Sequence, residues 1–260
     1  LPSTTTSLDF KEIERSIIKK YRKSIWNPFC GALNEYDLIK EGDKIAVGVS
    51  AGKDSLTLLA GMAELRRFYP KKFSLCAIMV DMGFEGSDTS RIEAWCKEKD
   101  VVFHVVKTDI AKVIFDIRKE SNPCSLCAKM RRGSLHAAAQ ELSCNKVALG
   151  HHFDDAVETF MMNLFNEGRI GCFSPVTYLD RMDITVLRPL VYVPEKDIKY
   201  FINHSDLPVL HSSCPQDKNS DRENVKQLLS TPDKENKGIK YRIFGAMQRA
   251  GIDGFKVGEE

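Results

Sequence analysis

Three stretches of the chain combine residue types and spacings that could do chemistry. The first is Ser50-Ala51-Gly52-Lys53-Asp54-Ser55, which follows the apolar run Ile45-Ala46-Val47-Gly48-Val49 and precedes helical spacing from Leu56. A strand that passes through small residues into a helix N-terminus builds an anion site, because loop N–H groups point outward and the helix end carries partial positive charge. Ala51 and Gly52 permit close approach of a phosphate, Ser50 and Ser55 add hydroxyl donors, and Lys53 adds a counter-charge. The common nucleotide loop is excluded, since it needs four residues between its glycines and Ser or Thr after its Lys. Here three residues separate Gly48 from Gly52, and Asp54 follows Lys53. The Ala51 position tolerates Ala at negative φ and penalises it in the left-handed region.

The second stretch is Pro123-Cys124-Ser125-Leu126-Cys127, at the head of a predicted helix. Two thiolates at this spacing can share one metal, and a helix N-terminus favours the thiolate. A redox pair and half of a zinc site are both open readings. Zinc would need a second ligand pair, and His136, His151, His152, His204 and His211 show no ligand spacing with the cysteines. The third stretch, Gly150-His151-His152-Phe153-Asp154-Asp155, places two carboxylates at a strand-to-helix junction; its histidines serve equally well as packing or capping groups.

These residues need a frame, and the pattern supplies one. Apolar runs at 44–49, 73–80, 101–106, 146–149 and 184–189 alternate with amphipathic segments at 56–68, 89–99, 154–165 and 195–204. Such alternation predicts an α/β fold with a parallel sheet flanked by helices. An amphipathic helix is expected over 9–21, with Phe10, Ile13, Ile17 and Tyr21 on one face, and a short helix over 240–250. The stretch from Asp217 to Lys237 is charged and contains Pro232, and it reads as a mobile loop or poorly packed arm. Val80 and Asp81 end the second strand, where an open parallel sheet binds its ligand.

Composition bounds the function. With 38 Lys and Arg against 36 Asp and Glu, the chain is neither a polycation nor an acidic tail, although a local basic stripe remains compatible with nucleic acid. Lys19-Lys20-Tyr21-Arg22-Lys23, with Trp26 and Phe29 nearby, and Arg131-Arg132 are the densest basic spots. Eight cysteines in 260 residues are too dilute for a disulfide scaffold, so Cys76 and Cys144 read as buried small hydrophobes. No apolar run approaches the ~20 residues of a membrane span, and Leu1 to Ser7 lacks the features of a signal peptide. A cytoplasmic protein without membrane attachment is expected.

The hexapeptide at Ser50 resembles the Ser-Gly-Gly-Lys-Asp-Ser signature of the PP-loop ATP pyrophosphatases, with Ala51 in place of one glycine. Cys124-Ser-Leu-Cys127-Ala-x-x-Arg131-Arg132-Gly133 and Gly150-His-His-Phe-Asp-Asp155 resemble motifs of the TtcA-like tRNA thiolases (tRNA 2-thiocytidine synthetase-like) within that superfamily. Glu158-Thr159, Asn163-Leu164-Phe165, Arg188-Pro189-Leu190 and Glu195-Lys196-Asp197-Ile198 continue the likeness in order, from about Lys44 to Cys214.

The resemblance implies an adenine nucleotide alpha hydrolase-like fold with an N-terminal helical extension over 1–40, an ATP-binding domain over 41–212 and a cysteine-bearing arm over 213–260. It implies a tRNA sulfurtransferase that splits ATP into AMP and pyrophosphate. ATP would be held by Ser50, Ala51, Gly52, Lys53, Asp54, Ser55, Val80, Asp81, Arg131, Gly150 and Asp155, with Mg²⁺ at Asp54 and Asp155. A 4Fe-4S cluster would be held by Cys124, Cys127 and Cys214, with Cys144 and Cys172 in reserve. Lys53, Asp54 and the three cysteines would carry the catalysis. The resemblance further implies tRNA, a sulfide donor such as a cysteine desulfurase, and a homodimer as partners. A second Cys-x-x-Cys, common in bacterial members, is reduced here to Cys214, which leaves the modified base open. A PP-loop ligase or small-molecule thiolase, and a nucleotide-gated RNA-binding protein with a structural metal, are the competing readings.

Overall fold

The computed structural model describes residues 16–84, 88–118, 123–210 and 221–257. The first described helical turns run through a π-helical segment, Arg22–Trp26, into α1, Asn27–Glu35. Their apolar side is core: Ile17, Tyr21, Ile25, Trp26 and Phe29 are all buried. Trp26 and Phe29 are therefore not available to stack on bases, and the basic residues Lys19, Lys20, Arg22 and Lys23 are the exposed side of the same segment. Phe10 and Ile13 lie outside the described residues.

The sheet has six strands in the order β3-β2-β1-β4-β6-β5, with β1 Lys44–Gly48, β2 Ser74–Asp81 and β3 Val102–Lys107. On the other side of β1 lie β4 Lys146–Ala148, β6 Ile184–Leu187 and the edge strand β5 Val176–Leu179. All pairings are parallel except β5 with β6, which is an antiparallel edge hairpin. The short, half-exposed β5 carries too little apolar alternation to mark it in the sequence, and a parallel frame needs the small correction of one antiparallel edge. The order turns back between β1 and β4, so the carboxyl ends of these neighbours flank a crevice where open α/β sheets bind ligands.

Helix α2, Lys53–Arg66, leaves that crevice and is buried continuously from Ser55 to Leu65. A helix buried all round has no solvent face, and here α1 covers it: the Phe29 ring packs over Gly61, 3.4 Å from where a Cβ there would stand. The remaining helices are α3 Ser90–Glu98, α4 Pro123–Glu141, α5 Phe153–Glu167 and α6 Glu195–Asn203.

The charged stretch expected to be a loose arm contains a helix, α7, Asp221–Glu235, followed by α8, Ile239–Arg249. Its helicity comes from packing. Val225 and Leu229, one turn apart, are buried in a cluster with Phe153, Val157, Phe244 and Met247 of α5 and α8. Two well-placed apolar residues outweigh the polar composition and Pro232.

Candidate functional site

The loop between β1 and α2 is held by Ser55. Its Oγ accepts from the Ser50 N–H at 3.1 Å and donates to the Gly52 carbonyl at 3.0 Å. Ala51 sits at φ +61°, in the left-handed region where its Cβ is strained. That is the unfavourable case for the glycine-to-alanine departure, and it is held by a neighbour: the Leu210 N–H donates to the Ala51 carbonyl at 3.0 Å.

Facing this loop is the turn after β4. A Cβ at Gly150 would stand 3.0 Å from Asp54 C and Ser55 N, so only glycine lets the two turns meet. His152 caps α5: its Nδ1 accepts from the Asp155 N–H, and Asp155 Oδ2 accepts from the His152 N–H at 3.0 Å. Because Nδ1 accepts, Nε2 carries the proton, and it lies 3.6 Å from Asp54 Oδ1 and 3.5 Å from Asp155 Oδ2. His151 packs its ring on Phe173 at 5.0 Å. Burial, with Arg188 nearby, holds its pKa down at about 4.

Charge is dense around these turns. Lys53 Nζ lies 2.8 Å from Asp54 Oδ2 and 3.1 Å from Glu195 Oε1. Burial disfavours the ammonium, but Asp54 and Glu195 outweigh it and raise its pKa. Glu195 also receives Lys199 at 3.1 Å and Lys226 at 2.9 Å. Burial is overcome by these lysines, and the carboxyl is held far below the usual range. Asp155 pairs with Arg222; His152 and Arg222 overcome its burial, and its pKa is lowered. Asp154 accepts from the Glu195 N–H at 2.7 Å and from Lys240 Nζ at 2.6 Å. Glu158 is the exception: burial and the Asp155 charge push it up to about 7.

The thiols stand at the same sheet edge, on the β2 side. Cys124 is exposed and Cys127 half-buried on the first turn of α4, with Cys127 Sγ 3.7 Å from Sδ of Met82, the residue after β2. Arg131 follows Cys127 by one turn, exposed and paired with no carboxylate among the described residues. Val80 and Asp81 end β2 as expected. The Asp81 carboxylate accepts the Gly83 N–H at 2.9 Å, so it closes a turn. Cys214 lies outside the described residues. Of the reserve cysteines, Cys144 Sγ rests 3.5 Å from Cys76 Sγ inside the core, and the half-buried Cys172 thiol, raised to about 12, donates to the Ala156 carbonyl.

The donor sets bear on what could be held. Asp54 Oδ1 is buried with no hydrogen-bond partner among the described residues, which suits a hard cation accompanying phosphate. Both Asp155 oxygens are already engaged. Among the described residues no three His, Cys, Asp or Glu side chains gather to hold a metal ion. Two adjacent thiols on one helical turn nevertheless fit iron or zinc chemistry in kind.

A family model for the PP-loop domain matches residues 16–231. The chain belongs to the PP-loop family. Within it, the tRNA-cytidine(32) 2-sulfurtransferase of Citrifermentans bemidjiense is 41% identical over 219 residues, covering 83% of this chain and 86% of the relative. The enzyme of the same name from Geotalea uraniireducens is 42% identical over 219 residues, covering 83% and 87%. Among solved structures, the U34-tRNA thiolase NcsA from Methanococcus maripaludis, described with its 4Fe-4S cluster, aligns with a TM-score of 0.72 at 28% identity, over 91% of this chain and 79% of that one. The PP-loop fold thus comes with tRNA-thiolating relatives on both comparisons.

Nothing in the sequence pattern marks Arg222, Lys226 or Lys240 as part of this PP-loop site. The available signal is the spacing of Val225 with Leu229 and of Arg222 with Lys226, both one turn apart, inside a stretch whose composition argues against a helix.

Proposed function

We propose that this chain is an ATP-dependent tRNA sulfurtransferase that adenylates a base carbonyl and replaces its oxygen by sulfur. The observation that carries the reading is the meeting of the Ser50–Ser55 loop with the Gly150–Asp155 turn at the switch point of the sheet, beside a Cys-x-x-Cys helix start. Loop N–H groups and the α2 N-terminus would hold ATP phosphate, with Lys53 neutralising charge and Asp54 Oδ1 holding Mg²⁺. Arg131 and Gly150 would complete the nucleotide site, and Val80 and Asp81 would flank it.

The base oxygen attacks the α-phosphorus and pyrophosphate leaves. A sulfide sulfur then attacks the activated carbon and AMP departs with the original oxygen. The net change is carbonyl, ATP and hydrosulfide to thiocarbonyl, AMP and pyrophosphate. Cys124, Cys127 and Cys214 would hold a 4Fe-4S cluster, which when bound supplies an open iron position for the sulfide. The exposed basic face at Lys19–Lys23 is where tRNA phosphates would bind, with the target base unstacked into the crevice.

Nucleoside mass spectrometry tests this. Full-length chain, reconstituted without oxygen with iron and sulfide, should convert a tRNA nucleoside to its thio form in the presence of ATP. Zinc without iron in the active protein would point instead to a PP-loop ligase-type chemistry.

A further inference from the structure

Arg222 and Lys226 lie one turn apart on α7, hence on one face of that helix. Arg222 donates through Nη1 to Asp155 Oδ1 and through Nη2 to Thr159 Oγ1 at 3.1 Å. Lys226 Nζ lies 2.9 Å from Glu195 Oε2 and 3.2 Å from Oε1. Each carboxylate leads on to the loop after β1. Glu195 Oε1 holds Lys53 at 3.1 Å, and Asp155 Oδ2 reaches Asp54 through His152, with separations of 3.5 and 3.6 Å. Two separate bridges therefore run from α7 to consecutive residues of the anion loop.

The charges on these bridges do not balance locally. Glu195 receives the ammonium groups of Lys53, Lys199 and Lys226, and Asp54 shares Lys53 at 2.8 Å, three positive charges on two negative. Lys53 and Lys226 both sit within 3.2 Å of the same Oε1, so the Glu195 carboxylate bridges them and links α7 directly to the anion loop. Glu158, the carboxylate that could offset this excess, is burdened by burial and lacks a hydrogen bond at Oε1 among the described residues, with Lys240 Nζ 4.0 Å away. A positive excess beside a helix N-terminus and a buried carboxylate oxygen suited to Mg²⁺ calls for a polyanion. One phosphate is served by the N–H groups of α2. The α7 cations lie across Asp155 and Glu195 from that point, where further phosphates of the same nucleotide would reach.

We infer that Arg222 and Lys226 are ligands of the pyrophosphate part of the nucleotide, parked on Asp155 and Glu195 when no nucleotide is bound. This rests on the ATP-binding reading above. It gives α7 a function: the helix that follows the Cys214 segment also grips the leaving group.

Equilibrium binding to the full-length chain tests the assignment, with the magnesium complex of α,β-methylene ATP, magnesium pyrophosphate and AMP as probes. Arg222→Ala and Lys226→Ala should each weaken the ATP analogue and pyrophosphate about tenfold and leave AMP unchanged, with charge-assisted hydrogen bonds of ordinary strength. Arg222→Lys should recover part of the loss. The wild-type dependence of affinity on salt should be steeper than that of either alanine variant. Thermal melting establishes that each variant is folded; Lys226→Ala carries the test if Arg222→Ala does not fold. Equal losses for the analogue and AMP would mean that α7 only props the site, and unchanged analogue affinity would mean that the cations do not touch phosphate; either overturns the inference. Wild-type chain that binds neither the analogue nor AMP would overturn the ATP reading itself, a result distinct from losses confined to the variants.

Discussion

The loop after β1 and the first turn of α4 stand at the same edge of the sheet, but they are held in different ways. On the nucleotide side, Lys53, Asp54, Asp155 and Glu195 are tied into ion pairs and capping bonds before any ligand arrives. On the thiol side, Cys124 is exposed and Cys127 meets a methionine sulfur. A phosphate site can be preassembled because its charges can rest on one another until phosphate displaces them. A thiolate site has no such internal substitute, since close thiolates repel and need a metal between them. In the proposed reading, the nucleotide side is therefore the preassembled half of the centre, and the thiol side is the half that its metal would complete.

This contrast can be broken by mutation, and the largest effect belongs to the thiols. Cys214→Ala should abolish iron retention and tRNA thiolation while leaving ATP binding nearly intact, measured by iron and sulfide analysis beside equilibrium binding. Cys76→Ala and Cys96→Ala should retain iron, because both residues are buried in the core. A Cys214→Ala chain that still holds four irons and thiolates tRNA would remove Cys214 from the ligand set.

Next comes the charge stored on the nucleotide side. Burial and Asp155 raise Glu158 from an ordinary 4.5 to about 7, while Lys240, Lys226 and Arg222 only partly offset them. A raised folded-state pKa gives stability that is fully present below the unfolded value and lost as pH rises through about 7. Glu158→Gln should therefore unfold like the wild type at pH 4, below the unfolded value. At pH 8 it should be more stable by on the order of 3 kcal/mol, read from urea titrations of nucleotide-free protein. Equal differences at the two pH values would show that Glu158 titrates normally.

Gly150→Ala should act in the opposite sense to the cysteine change. Its Cβ would press on Asp54 C and Ser55 N at 3.0 Å, and backbone atoms yield little. We expect a loss of about 1–3 kcal/mol in stability and weaker ATP binding, with iron content unchanged. Loss of iron along with nucleotide affinity would mean that the two halves are not separable.

The smallest effect is at Ala51. A left-handed alanine costs roughly 1–2 kcal/mol, part of which a glycine returns to the unfolded chain as entropy. Ala51→Gly should raise stability by about 0.5–1 kcal/mol by thermal melting and keep ATP affinity.

How much of this was legible in sequence follows the same division. Strands β1 to β4 and their helices are readable because continuous apolar runs alternate with amphipathic ones, and the hexapeptide and Cys-x-x-Cys are local motifs with fixed spacing. Strand β5 is short and half-exposed, so it leaves no period. Helix α7 is hidden because composition averages over its length, whereas its packing rests on single residues such as Val225 and Leu229. Arg222, Lys226 and Lys240 are hidden for the same reason, since their partners lie far away in sequence on α5 and α6. The strain at Ala51 depends on a φ angle that no residue list reveals.

The central claim is that one centre couples ATP cleavage to sulfur transfer onto tRNA. The direct measurement is a single oxygen-free reaction of reconstituted chain with ATP, sulfide and tRNA, in which AMP and thionucleoside are counted together. The account predicts one AMP per thionucleoside, with neither formed when ATP is replaced by its α,β-methylene analogue. Thionucleoside formed at full yield with that analogue would contradict it.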